Sequence, residues 1–247
     1  ADNAGFALDT AKAVIAGKLR NARQVLLRGA REAVDEKDID PLSRAADSLA
    51  ISIRNIPVAD NLDTLRGFEG DAAKTYFSAL NHMVRWEARE AFAMNGRSRR
   101  PPRDRFNALL SFIYSMVMND CRSALESVGL DPQLGFLHAM RPGRAALALD
   151  LMEEFRAILA DRLVLTLINR GQVSEKDFLD RPGGDVHLQD DARKTVVVAY
   201  QERKQEEVTH PLLDTKAPIG LLPHLQARFL ARTIRGEMEG YLPFLIK

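Results

Sequence analysis

The sequence predicts an all-α protein built from many helices, and three observations carry that expectation. Apolar residues recur at three- and four-residue steps over most of the chain. Capping side chains, Pro and Gly interrupt the pattern where helices should start and stop. One stretch, residues 178–188 around Arg181-Pro182-Gly183-Gly184-Asp185, departs from it and reads as a short hairpin or ordered loop.

Taken in order, Leu8, Ala11, Ile15, Leu19, Ala22 and Leu26 mark an amphipathic helix over residues 7–32. Asp40-Pro41 reads as the next helix start, an N-cap side chain followed by Pro in the first turn. That helix carries Leu42, Ala45, Ala46, Leu49 and Ile53 and ends near Asn55-Ile56-Pro57. Asp60 is placed to cap a third helix running to about residue 83. Residues 94–102 form a polar loop with Gly and Pro. Asp104 then opens a helix through Asn107, Leu110, Tyr114, Val117, Cys121 and Leu125, closed by Gly129 in a left-handed cap. Residues 129–142 read as loop or broken helix. A long apolar helix is expected over 145–168, stopped by Asn169-Arg170-Gly171, and two more over 191–208 and 222–239. No internal repeat or linker divides the chain, so residues 1–247 are read as a single helical domain.

The 247 residues suffice for a large core, and 46% apolar with 28% charged residues is ordinary for a soluble protein. No window approaches the 18 or more consecutive apolar residues of a membrane span. The single cysteine, Cys121, excludes an internal disulfide framework, fits a reducing cytoplasm and reads as a small core hydrophobe. A net charge of +1 does not announce a nucleic-acid partner, but its distribution is uneven. Positions 85, 89, 97, 99, 100, 103 and 105 are all Arg, and Arg141, Arg144 and Arg156 flank His138 and Glu153. Such clusters bind phosphates even on a nearly neutral protein.

The chemistry concentrates in three places where a polar group interrupts an apolar stretch. Residues 62, 65, 69, 72, 73 and 76 share a helical face reading Leu, Leu, Glu, Ala, Ala, Tyr, so Glu69 lies inside the apolar stripe. Residues 146, 150, 153, 157, 160 and 164 form a second such stripe, which points Asp150 and Glu153 the same way into protein. His138 precedes that helix in Gly135-Phe136-Leu137-His138. Buried carboxylates are paired, protonated or metal-bound, because an isolated buried charge costs several kcal/mol. Two carboxylates and one imidazole form an O,O,N donor set that suits Mn2+ well and Mg2+ acceptably. No phosphate-cradling Gly-rich loop and no His-Glu-x-x-His motif is present.

These contexts and what joins them resemble the CRISPR adaptation integrase, the CRISPR-associated endonuclease that inserts new spacers. The matching strings are Phe68-Glu69-Gly70 with Tyr76-Phe77, Arg100-Pro101-Pro102-Arg103-Asp104-Arg105-Phe106-Asn107, and Gly129-Leu130-Asp131-Pro132-Gln133-Leu134-Gly135-Phe136-Leu137-His138. The last continues through Arg141-Pro142-Gly143-Arg144 to Leu149-Asp150-Leu151-Met152-Glu153-Glu154-Phe155-Arg156. The resemblance implies Glu69, His138 and Glu153 as metal ligands, Asp150 as a supporting acid and Tyr114 as an active-site tyrosine that helps position DNA. Arg66, Arg100, Arg103, Asn107, Arg141, Arg144 and Arg156 are the expected DNA contacts. It further implies metal-dependent transesterification of prespacer ends into repeat DNA. A small ferredoxin-like companion protein and a homodimer are implied as partners. It also leads to the expectation that an N-terminal β-rich domain is missing ahead of the first helix. The alternative reading is a non-catalytic helical DNA-binding or scaffolding module, which leaves the inward-facing acids without a purpose.

Overall fold

The computed structural model describes residues 3–246. Nearly every predicted helix is present. Helix α1 (Ala4–Glu32) is capped by the Asn3 side chain and α2 (Glu36–Asn55) by Asp35. The start of α2 lies a turn before the expected Asp40-Pro41, and Pro41 sits inside the helix. Asp35 already satisfies an orphan N–H there, and Pro41 removes only one bond near the helix start. Helix α3 (Leu62–Leu80) is capped by Asn61, which accepts from the backbone of Asp63 and Thr64, rather than by Asp60. The short α4 (Trp86–Arg89) was not foreseen. Helix α5 (Arg105–Ser127) has the expected Asp104 cap and the expected left-handed Gly129, with φ +78°.

The expected long helix over 145–168 is not continuous. It is divided into α6 (Ala146–Met152), a turn at residues 153–155, one π-helical stretch (Arg156–Asp161) and α7 (Arg162–Asn169). A π-turn widens the helix by one residue and re-aims side chains, often at functional sites. Here it follows two adjacent buried acids with separate partners. Glu153 faces Lys18 and Arg156. Glu154 accepts hydrogen bonds from Gln226 Nε2 (3.0 Å), Tyr241 Oη and the backbone N–H of Phe244. Burial pushes the Glu154 carboxyl up to about 8, against the three donors that favour its charged form. This acid anchors the C-terminal tail, which Asn21 of α1 also holds through Phe244 O and Ile246 N.

The protein is mostly helical but not purely so. The expected hairpin exists as β1 (Phe178–Asp180) paired antiparallel with β2 (Val186–Leu188). A second hairpin, β3 (Glu207–His210) with β4 (Thr215–Pro218), follows α8 (Asp190–Gln205) and corrects the expected continuation of that helix to residue 208. Asp214 makes its turn at φ +49°. Helix α9 (Leu222–Ile234) ends before the expected 239. The larger core centres on α5, with Phe106, Leu109, Leu110, Ile113, Val117 and Cys121 buried against α6, α7 and α9. A smaller cluster of Ala11, Ile15, Leu19, Leu65, Ala72 and Leu137 joins α1, α3 and the loop before α6. These two packings bring residues 18, 69, 138 and 153 into one region. Among the described residues no helix is long and apolar enough to cross a membrane.

Candidate metal centre

Glu153 lies at the middle of the site with its side chain only 4% exposed. Its Oε2 lies 2.8 Å from Lys18 Nζ of α1 and 3.0 Å from Arg156 Nε. Its Oε1 lies 3.7 Å from His138 Nε2. Lys18 Nζ also contacts Glu69 Oε1 of α3, so one ammonium ties the two glutamates together. Glu69 and Glu153 thus meet at Lys18, and His138 lies beside the other Glu153 oxygen, although the three stand on separate segments. Glu69 is the most open of them, with a quarter of its side chain exposed. Burial works to raise the Glu153 carboxyl, but Arg156, Lys18 and His138 outweigh it and hold the acid below the usual carboxylate range.

Asp150 does a different job from the one implied by its helical spacing. Its oxygens accept from the backbone N–H groups of Phe136 (2.6 Å), Leu137 (3.0 Å) and His138 (3.0 Å), and Oδ1 lies 2.6 Å from His138 Nδ1. It thus faces the loop and the His138 imidazole. One carboxylate folds the loop and fixes the imidazole, which leaves Nε2 turned towards Glu153. Carboxylates hold ligand histidines in this way in many metal sites. Gly135 permits the close approach: a Cβ there would lie 2.8 Å from the carbonyl carbon of Ala146 and 2.9 Å from Asp150 Oδ2. Arg66 clamps the same loop by donating to Leu137 O at 2.6 and 3.1 Å.

Several expected DNA contacts are otherwise engaged. Asn107 is fully buried; it donates to Gly96 O and Asp104, accepts from Arg97, and so cannot reach DNA. Tyr114 is buried too, with its hydroxyl donating to Asp161 at 2.7 Å and its ring beneath the guanidinium groups of Arg156 (4.7 Å) and Arg97 (5.3 Å). Its ring supports Arg156. Arg156 itself is 12% exposed and spends its charge on Glu153. Arg100, Arg103 and Arg141 are exposed and Arg144 is half-buried. Arg103 reaches across to Gly183 O in the first hairpin.

Two groups escaped the sequence reading. Asp161, buried, accepts from Tyr114 and from Tyr76 (2.8 Å), and burial pushes it up to about 6 against those donors. Lys18 is the more informative omission. It continues the stripe of Ala11, Ile15 and Ala22, the same signal that marked Glu69.

The residues fit a divalent cation. Two carboxylates and an imidazole nitrogen provide its donors, and a cationic group already bridges the carboxylates. Glu153 Oε2 is buried yet makes no hydrogen bond of good geometry, its contacts with Lys18 and Arg156 being ion pairs only. Among the described residues no three His, Cys, Asp or Glu side chains are close enough to hold an ion without adjustment. The Lys18 ammonium stands between Glu69 and Glu153.

Comparison with known proteins decides the family. The family model described as CRISPR associated protein Cas1 matches residues 1–202. The chain belongs to this family. It is 59% identical over 237 residues to a CRISPR-associated endonuclease Cas1 of Moorella thermoacetica, covering 96% of this chain and 69% of that protein. A CRISPR-associated endonuclease Cas1 of Leptospira interrogans is 48% identical over 242 residues, covering 98% of this chain and 94% of its own length. Among solved structures, a chain of a Cas6-RT-Cas1–Cas2 complex superposes with a TM-score of 0.83 at 27% identity, covering 100% of this chain and 26% of that one. The family match covers residues 1–202 and does not bear out the expectation of a missing N-terminal domain.

Proposed function

We propose that this protein is a divalent-metal-dependent DNA endonuclease and integrase of CRISPR spacer acquisition, with residues 1–247 acting as one catalytic unit. The observation that carries the reading is that Glu69 and Glu153 share the Lys18 ammonium while His138 Nε2 lies 3.7 Å from the other Glu153 oxygen. High identity to proteins named as Cas1 endonucleases supports the reaction class.

Glu69 and Glu153 would hold Mg2+ or Mn2+ through oxygen and His138 through Nε2. When bound, the metal supplies Lewis-acid stabilisation of charge on the phosphate and the displaced oxygen. The chain's own contribution is positioning. Asp150 keeps the imidazole in one orientation, the loop over 135–138 is held by Arg66, and Arg156 is held by Glu153 and the Tyr114 ring. The exposed Arg100 and Arg141 and the half-buried Arg144 would take up backbone phosphates. In integration the 3′-hydroxyl of a prespacer attacks a repeat phosphodiester; one P–O bond forms as another breaks, and a new 3′-hydroxyl leaves. Water in place of the attacking hydroxyl gives strand cleavage. A Cas2-type companion is the partner we infer, supported by the solved complex whose name joins Cas1 and Cas2, and we infer self-association as a homodimer beside it.

The test is cleavage of branched and duplex DNA in Mn2+ by the wild type and by Glu69→Ala. Because Glu69 is partly exposed, its removal is expected to leave the melting temperature within a few degrees of wild type while cleavage falls to background. Cleavage at the wild-type rate by Glu69→Ala would remove the assignment.

A further inference from the structure

We propose that the Lys18 ammonium is the built-in counter-cation of the metal-free centre and that a divalent metal binds by displacing it, so that Lys18 sets the metal affinity. The inference rests on the metal centre proposed above and adds a competitor to it.

Its basis is the placement of one side chain. Lys18 rises from α1, and its Nζ contacts Glu69 Oε1 and lies 2.8 Å from Glu153 Oε2. Its side chain is 15% exposed, so the ammonium has given up most of its water for these two carboxylates. They come from separate elements, α3 and the turn after α6, and would repel each other across the gap without it. Arg156 cannot replace it, since it reaches Glu153 alone. The ammonium therefore holds the two glutamates together while occupying the space between them.

Coexistence is unfavourable on elementary grounds. A dication bound to the same oxygens would sit within a few Å of the ammonium, and like charges that close, with little water between them, repel strongly. Lys is suited to giving way, because its charge is a point on a flexible four-carbon stem rather than a rigid fork. His138 Nε2 lies 3.7 Å from the other Glu153 oxygen, not from the one that the ammonium contacts.

The experiment is calorimetric titration of the metal-free protein with Mn2+, for the wild type, Lys18→Met and Lys18→Arg, with melting of each metal-free protein alongside. Lys18→Met keeps the stem and loses the charge. It is expected to bind Mn2+ about tenfold more tightly than wild type, a typical strength for coupling between two competing charges. Its metal-free form should melt several degrees lower, because the two acids then face each other unneutralised. Lys18→Arg keeps the charge on a fork that grips carboxylates in pairs, and should bind Mn2+ more weakly than wild type.

Affinity of Lys18→Met equal to or below that of wild type would overturn the inference, since a lysine that merely braces the site would weaken binding when removed. Should Lys18→Met fail to fold, Lys18→Arg decides: binding as tight as wild type or tighter also overturns it. If folded wild type and folded Lys18→Met both fail to bind Mn2+, the metal centre itself is absent, a failure distinct from loss of the competition.

Discussion

Glu153→Ala is expected to lose both DNA cleavage and stability, unlike Glu69→Ala, which loses cleavage alone. The difference follows from burial. Glu153 is 4% exposed and faces two cations, Lys18 and Arg156, and the Arg156 side chain is only 12% exposed. Deleting the acid strands those charges in a low-dielectric site, and removal of one partner from a buried pair costs about 3–5 kcal/mol. It also removes a metal oxygen, so cleavage in Mn2+ should fall by about three orders of magnitude or more, as for loss of a group on which the transition state depends. Denaturant unfolding alongside a DNA cleavage assay measures both. A variant that keeps wild-type stability would show that Arg156 and Lys18 find other partners, and one that still cleaves would show that the oxygen is not used.

Asp150→Ala is the second large effect. One buried carboxylate accepts three backbone N–H groups of residues 136–138 and meets His138 Nδ1. Leaving several buried donors unmet costs about 1–3 kcal/mol each, so a loss of about 3–5 kcal/mol is expected after partial hydration of the loop. Asp150→Asn separates folding from positioning. It can keep some of the backbone bonds but loses one acceptor oxygen, and should retain more stability while cleavage and Mn2+ affinity fall about 10–100-fold, the range seen when the partner of a ligand histidine is removed. Full activity in Asp150→Asn would show that the imidazole needs no carboxylate to aim it.

Which parts of the fold and site were legible depends on whether local chemistry or tertiary demand sets them. Helix α5 was readable at both ends because Asp104 and Gly129 act through their own backbone. The break after Met152 was not, because apolar spacing over 145–168 continues unchanged while the break serves two distant partner sets, Lys18 and Arg156 for Glu153 and the C-terminal tail for Glu154. The second hairpin hid behind the charged run at the end of α8, whose pattern resembles one more helical turn. Within the site, Glu69 stood out as an acid inside an apolar stripe. Lys18 carries the same signal on α1, but a lysine in a long amphipathic helix is usually solvated, so spacing alone does not single it out. Asn107 and Tyr114 show the converse: their polar atoms are committed to Gly96, Asp104, Arg97 and Asp161, contacts that sequence spacing does not reveal.

A single cation is expected to replace the Lys18 ammonium between Glu69 and Glu153 and to take His138 Nε2 as its third protein ligand. Anomalous diffraction from crystals grown with Mn2+ tests it most directly. The account predicts one ion peak with the two carboxylate oxygens and the imidazole nitrogen each within roughly 2.0–2.6 Å, and with Lys18 Nζ withdrawn from both glutamates. A peak bound elsewhere, or Lys18 still bridging Glu69 and Glu153 at saturating Mn2+, would contradict it.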